Sequence, residues 1–169
     1  MTLRDFTTLY NQELKRLHPY KHDVTFSITK SKVTKKSVVT YGVDEYQRPY
    51  EISRTPSISK QVVDTNGFTK LCQAVWEFYL CTDLKRISSE GSYRKGIGYI
   101  KSPNKGISDL MGLYKGNVFF IEIKQAKEKQ LDSQVKFEKW TENGGARYCI
   151  VRSFEDIYNL VQQILIEIK

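Results

Sequence analysis

Cysteine and histidine are scarce in this chain of 169 residues. Its three cysteines are an odd number without CxxC spacing, which argues against a disulfide framework and against a zinc site. Its two histidines, His18 and His22, have Pro19 between them, so one helix face does not present them together. Cys72 and Cys149 lie in apolar runs and are expected to be small buried hydrophobic residues in a reducing compartment.

Long apolar runs are also lacking. No run approaches the roughly 18 residues that a membrane-spanning helix needs, and the first residues, MTLRDFTTLYNQELKRL, lack the apolar core of a secretion signal. The chain has no P-loop, no dinucleotide-binding fingerprint and no Ser/His/Asp nucleophile pattern. We therefore expect a soluble, cytoplasmic protein without a membrane partner or an organic cofactor.

Positive charge, in contrast, is plentiful and unevenly placed. The net charge is +8, and residues 1–63 and residues 85–105 each carry +5, whereas residues 106–169 are neutral. This excess favours a polyanionic partner, and nucleic acid before a membrane, because no lipidation signal or basic amphipathic helix stands out. The alternative is charge that serves only solubility.

The residue patterns predict helices and strands in an order typical of α/β proteins. An amphipathic helix over residues 3–17 precedes two or three strands within residues 23–54, and residues 54–60 are the predicted linker. We therefore expect an N-terminal α+β extension over residues 1–60, which forms a DNA contact or a dimer contact or binds another partner, and a core domain over residues 61–169.

The core domain is predicted to begin with a helix that ends near residue 82. Short strands, a glycine-centred hairpin, a helix with Asp132 as its N-cap, a strand and a closing helix follow. Ser153 and Asp156 have the spacing of a capping box before the closing helix. This order predicts a three-layer α/β/α sandwich with a mixed sheet.

The predicted hairpin, GISDLMGLYKGNVFFIEIK, carries three ionisable side chains in apolar surroundings: Asp109, Glu122 and Lys124. Side chains alternate between the two faces of a strand, so Glu122 and Lys124 project together. A turn at Lys115–Gly116 places Asp109 opposite Glu122, and a turn one residue later places Asp109 opposite Lys124. Either register gathers the three side chains on one face, whereas a three-residue loop would separate them.

Two carboxylates opposed across a hairpin repel each other, and a divalent cation would compensate for that repulsion. Carboxylates and water suit Mg²⁺ or Mn²⁺, and the backbone carbonyl of Ile123 is a further candidate ligand. Lys124 could orient or deprotonate a metal-bound water, or stabilise charge on a phosphate. The alternative is an edge hairpin whose charged face is simply solvated.

Residues 67–161 resemble the VRR-NUC branch of the PD-(D/E)XK nuclease superfamily, in the compact form carried by phages. The matching text is GISDLMGLYKGNVFFIEIK, then LDSQVKFEKW, then NGGARYCIVRSFEDI. The family pattern is a G-x-x-D-L stretch, an E-x-K strand, a glutamine early in the next helix and a V-R-S strand end. Ile107 and Ser108 depart from it, because the family often has a small residue and a proline there.

The resemblance implies a restriction-endonuclease-like core in which Asp109 and Glu122 bind the metal. It implies Lys124 as the catalytic lysine and Gln134 as the polar helix residue near the site. The family usually also has a glutamate early in its first helix, where this chain has threonine and lysine. Glu77, further along that helix, is a candidate replacement as a metal ligand, or simply a surface side chain.

Basic residues just before the hairpin are candidates for nucleic-acid binding, because they would neutralise phosphates on the approach to the site. They are Arg86, Arg94, Lys95, Lys101 and Lys105.

These observations lead us to expect a Mg²⁺- or Mn²⁺-dependent endodeoxyribonuclease. The resemblance implies branched DNA such as a Holliday junction as the substrate, a homodimer that brings two active sites to it, and the host-cell cytoplasm as the location if a phage encodes the chain. The alternatives are a flap, nicking or single-strand nuclease, and a non-catalytic nucleic-acid-binding module on a nuclease fold.

Overall fold

A computed structural model of the chain describes residues 1–35, 38–55, 58–87, 92–95, 98–100, 106–125 and 127–168. The chain forms two compact units. The first unit contains Met1–Phe26 and Thr65–Lys169, and the second contains Ser27–Asp64.

The first unit contains all four helices of the described chain, together with its later strands. The helices are α1 (Leu3–Leu17), α2 (Thr65–Leu80), α3 (Asp132–Asn143) and α4 (Phe154–Glu167). The strands are β5 (Leu84–Arg86), β6 (Ser92–Arg94), β7 (Gly98–Ile100), β8 (Leu110–Tyr114), β9 (Asn117–Ile123) and β10 (Arg147–Val151). The short β6 and β7 pair with each other.

A mixed four-stranded sheet in the order β10-β9-β8-β5 is the centre of the first unit. β9 runs parallel to β10 and antiparallel to β8, which is itself antiparallel to β5. On one face Trp76 of α2 contacts Phe119 at a ring separation of 5.3 Å, and α4 packs against α2. On the other face Phe137 of α3 contacts Phe120 at 5.1 Å. The predicted three-layer α/β/α sandwich with a mixed sheet is confirmed.

Helix α1 belongs to the first unit because of Phe6, whose side chain is fully buried. The Phe6 ring lies 5.6 Å from Phe78, 6.3 Å from Tyr79 and 5.8 Å from Phe154, so it packs on both α2 and α4. A buried aromatic side chain of this size stabilises a fold by about 2–3 kcal/mol. The expected boundary at residue 60 separates α1 from the core domain, whereas the structure places α1 in the same unit as the core. The amphipathic pattern of α1 shows that one face is buried but does not show which unit buries it.

The second unit is built from two antiparallel strand pairs, one nested within the other. Its strands are β1 (Thr29–Lys35), β2 (Val38–Val43), β3 (Pro49–Thr55) and β4 (Ile58–Val63), with β1 paired to β4 and β2 to β3. The sequence predicts two or three strands within residues 23–54, where the structure has β1, β2 and β3. The described residues of the expected linker over residues 54–60 instead end β3 and begin β4, because β4 finds a partner in β1, far away in sequence.

Within the described residues, no helix has both the length and the apolar character that crossing a membrane requires.

Candidate active site

The hairpin of β8 and β9 closes at a two-residue turn formed by Lys115 and Gly116. Both residues have positive φ angles, 44° and 79°, which suits the right-handed twist of the flanking strands. Leu110 pairs with Ile121 in this register. Asp109, one residue before β8, therefore stands across from Glu122, which is the first of the two registers expected from the sequence.

Gly106 allows the segment before Asp109 to approach the beginning of α3. Its φ of +91° lies in the left-handed region, and a Cβ added there would stand 2.5 Å from the carbonyl oxygen of Ser133. Ser108 is fully buried and donates a hydrogen bond of 3.0 Å to the carbonyl of Leu110. Close packing against α3 thus explains why glycine stands at position 106. The buried Ser108 occupies the position where the resembled family often has proline.

Two backbone N–H groups, one at the end of β9 and one just after β5, hold Asp109 in place. Its carboxylate oxygen Oδ2 accepts a hydrogen bond of 2.8 Å from the N–H of Ile123, and its carbonyl accepts one of 2.8 Å from the N–H of Ile87. The side chain is therefore fixed at the end of β9 where Glu122 and Lys124 also lie.

Glu122 and Lys124 form an ion pair within the protein. Their exposed fractions are only 3 % and 4 %, and Lys124 Nζ lies 3.0 Å from Glu122 Oε1. Glu128, half exposed, approaches the same ammonium at 3.6 Å. Taking two charges out of water is costly, and the cost is recovered only where hydrogen bonds satisfy both groups. The pair is weak evidence for stability and a reason to look for a functional role.

Gln134 supplies the missing hydrogen bonds. Its Oε1 accepts from Lys124 Nζ at 2.8 Å and from the N–H of Leu131 at 2.9 Å, while its Nε2 donates to Glu122 Oε1. One amide therefore contacts both charged partners and caps α3. The predicted N-cap at Asp132 was wrong by one residue, because Leu131 is the N-cap and Asp132 is already helical.

The pKa of each of the two carboxyl groups is raised. Burial, with a further contribution from the Asp109 carboxylate, raises the pKa of Glu122 to about 7. Burial also raises the pKa of Asp109, against the opposing effect of the hydrogen bond from Ile123. A divalent cation between them would favour the ionised form of both.

Residues that the sequence interpretation missed complete the cluster. Tyr148 of β10 lies with its hydroxyl 3.5 Å from Glu122 Oε2, and burial followed by the Glu122 charge raises its pKa. Arg152 Nη1 donates to the carbonyls of Gln125 and Glu128 at 2.7 and 2.9 Å. The resemblance includes this V-R-S strand end but implies no role for Arg152. The proximity of Tyr148 to Glu122 could have been predicted only from the parallel register of β9 and β10, in which Tyr148 pairs with Phe120.

Glu77 is not brought to this cluster. It is exposed and lines a groove of about 500 Å³ together with Tyr10 and Leu14 of α1. Among the described residues, no group of three or more His, Cys, Asp or Glu side chains could hold a metal ion. Asp109 and Glu122 are the two carboxylates that the described residues bring together at this end of β9.

The basic residues expected to bind nucleic acid are only partly described. Arg86 of β5 pairs with Leu110, directly beside Asp109, and its charge is among those that lower the pKa of that carboxyl. Arg94 lies in β6, and Lys95 is exposed. Two further candidates, Lys101 and Lys105, lie outside the described residues.

Comparison with solved structures finds a similar chain described as a VRR_NUC domain. The two share 18 % sequence identity at a TM-score of 0.40, and the match covers 60 % of this chain and 92 % of that one. The description names the family that residues 67–161 resemble. No protein-family model matches the sequence, and a search of curated proteins found no match.

Proposed function

We propose that this chain is a divalent-metal-dependent nuclease that hydrolyses phosphodiester bonds in DNA. The observation that carries the proposal is the meeting of Asp109, Glu122 and Lys124 at one end of β9, where the lysine is buried against the glutamate at 3.0 Å. A buried and partly compensated charge cluster at the end of a sheet is where perturbed pKa values indicate function.

The carboxylates fit a hard cation. Mg²⁺ in enzymes is commonly held by one or two carboxylates, with water and substrate phosphate completing its coordination. Asp109 and Glu122 would be those carboxylates, and the backbone carbonyl of Ile123 is the proposed further ligand. Mg²⁺ or Mn²⁺ bound there would neutralise charge on a phosphate and lower the pKa of a bound water.

Lys124 would act on the attacking water or on the phosphate. Its ammonium is held by Gln134 Oε1 at 2.8 Å and by Glu122, so that its position is set before any substrate arrives. Pre-positioned charge is worth more in a site that excludes water than at an exposed surface. Gln134 is proposed as the residue that keeps both Lys124 and Glu122 in place.

The proposed substrate is DNA, with branched DNA as the preferred form. Arg86 lies beside Asp109 across β5 and β8, which supports a phosphate-binding approach to the site. Arg94, Lys95, Lys101 and Lys105 are proposed to extend this approach. A homodimer would place two such sites on a four-way junction. Of the expected accessory region, residues 1–60, helix α1 packs on the proposed nuclease domain, residues 61–169, so the accessory role is proposed for the second unit, Ser27–Asp64.

Cleavage of a labelled panel tests the proposal. The panel contains a four-way junction, a flap, a duplex, a single strand and RNA, each incubated with Mg²⁺, Mn²⁺ or EDTA. We expect metal-dependent cleavage of DNA that Asp109→Asn and Lys124→Met each reduce by about a hundredfold or more. Lys129→Ala, which removes an exposed lysine from the same neighbourhood, is the matched control and should cleave normally.

The substrates that are cut decide the finer assignment. Preference for the junction supports a resolvase, and preference for the flap or the single strand supports the alternative enzymes. If the wild type cuts nothing in either metal but binds DNA in EDTA, the chain is a nucleic-acid-binding module and the nuclease proposal fails.

A further inference from the structure

Trp140 is an exposed aromatic side chain at the edge of a groove. The chain has two tryptophans, and Trp76 is fully buried whereas 68 % of Trp140 is exposed. The groove has a volume of about 560 Å³ and is lined by Trp140, Val118, Phe120 and the residues that end α3. A large aromatic ring left in water beside other apolar side chains is a common mark of a binding surface.

Ring contacts connect this groove to the candidate active site. The Phe137 ring lies 5.6 Å from Trp140, 5.1 Å from Phe120 and 6.2 Å from Tyr148. The Tyr148 hydroxyl in turn lies 3.5 Å from Glu122 Oε2. The groove and the carboxylates thus belong to one surface of the sheet, the surface that α3 covers.

The distance between the groove and the candidate active site can be estimated along α3 and along β9. Trp140 follows Gln134 by six residues on α3, about 9 Å along the helix axis. Phe120 precedes Glu122 by two residues on the same face of β9, about 7 Å along the strand. These distances equal two to three nucleotides of a stacked strand, whose rise is about 3.4 Å per nucleotide.

The charges near the ring favour a base rather than a phosphate. Within one turn of Trp140, α3 carries Lys136 and Lys139 together with Glu138 and Glu142, so the positive and negative charges balance. An excess of positive charge attracts phosphates, whereas a flat, accessible ring offers a surface on which a base can stack.

We propose that the groove beside Trp140 is a subsite for an unpaired nucleobase, which stacks on the indole ring. The inference rests on the proposed nuclease function and adds to it that the protein engages unpaired nucleotides two or three positions from the bond that is cut. Paired bases in an intact duplex do not offer their faces, so the subsite favours single-stranded or branched nucleic acid.

Binding of oligothymidylate in EDTA tests this subsite without cleavage. We expect the oligonucleotide to quench the fluorescence of Trp140, because stacking brings the base against the ring, while buried Trp76 continues to emit. By anisotropy of a labelled oligonucleotide, Trp140→Ala should bind about five- to 150-fold more weakly, and Trp140→Phe should recover most of the loss. Tyr20→Ala removes a side chain that is 98 % exposed and should bind normally.

Three results would overturn the inference. They are wild-type affinity in Trp140→Ala, no binding by the wild type, and a fluorescence change of Trp140 with protein concentration alone, which would assign the groove to a second copy of the chain. Cleavage is read separately with Lys124→Met. Lys124-dependent cleavage with unaltered binding by Trp140→Ala refutes only the subsite, and Trp140-dependent binding without any cleavage refutes only the nuclease.

Discussion

Replacement of Glu122 by glutamine should remove a pH dependence of stability that the buried carboxyl imposes. Burial and the neighbouring Asp109 raise the pKa of Glu122 from an ordinary 4.5 to about 7. Between these values the unfolded chain has already lost the proton that the folded protein still holds. The free energy of unfolding therefore falls as the pH rises through this interval, and the loss is complete above pH 7.

The magnitude follows from the size of the shift. A difference of roughly 2.5 pKa units corresponds to about 3 kcal/mol, since one unit is worth about 1.4 kcal/mol. In EDTA, the wild type should thus lose about 3 kcal/mol relative to Glu122→Gln between pH 4.5 and a pH above 7. The removal of a partner from Lys124 adds an offset between the two proteins, so the test compares how each unfolding free energy changes with pH.

Urea unfolding at a series of pH values measures this difference. Glu128→Gln removes a half-exposed carboxylate from the same lysine and should retain the wild-type dependence on pH. Addition of Mg²⁺ above pH 7 should stabilise the wild type and leave Glu122→Gln unchanged, because ligands stabilise the state that binds them. If the unfolding free energies of wild type and Glu122→Gln remain parallel across the interval, the argument from burial is refuted.

Three further changes test other parts of the structure. Gly106→Ala should lower the unfolding free energy by about 1–3 kcal/mol in thermal melts, because its φ of +91° is strained for alanine and its Cβ would meet the carbonyl of Ser133; an unchanged melting temperature would contradict this. Arg152→Ala should speed tryptic cleavage after Lys127, because Arg152 donates hydrogen bonds to the carbonyls of Gln125 and Glu128 on either side of that lysine. Mass spectrometry detects the cleavage. A wild-type cleavage rate would show that other contacts hold the segment. Arg86→Ala should reduce the slope of log affinity for DNA against log salt by about one, and an unaltered slope would remove this residue from the phosphate contacts.

Local pattern predicted much of the fold. The helix over residues 3–17 was predicted with its observed bounds because apolar side chains recur at helical spacing, and the capping box of Ser153 and Asp156 is present. The hairpin face of Asp109, Glu122 and Lys124 followed from strand alternation, which holds for either turn. The choice between the two turns required the observed backbone, since both offer a glycine.

The residues that sequence could not place depend on packing between distant elements. Tyr148 reaches Glu122 only because β10 lies parallel to β9 in one register, and no local pattern specifies that register. Glu77 was a candidate ligand from its position on the polar side of α2, with a surface side chain as the alternative, and it lies exposed in a groove that Tyr10 of α1 also lines. The partner of β4 is β1, and a pairing across so much sequence leaves no signal in the linker-like text of residues 54–60.

The two ends of the second unit, Ser27–Asp64, lie next to each other. The N–H of Asp64 donates a hydrogen bond of 2.8 Å to the carbonyl of Ile28, so the ends of this long excursion are adjacent. From the standpoint of the first unit, the intervening strands are a closed loop whose length costs little, because loop entropy grows only with the logarithm of the number of residues. The second unit is in this sense an insertion that can be removed. A short glycine-serine bridge between residues 27 and 65 should therefore leave a chain that still folds around Phe6, with the strands that carry the carboxylates intact.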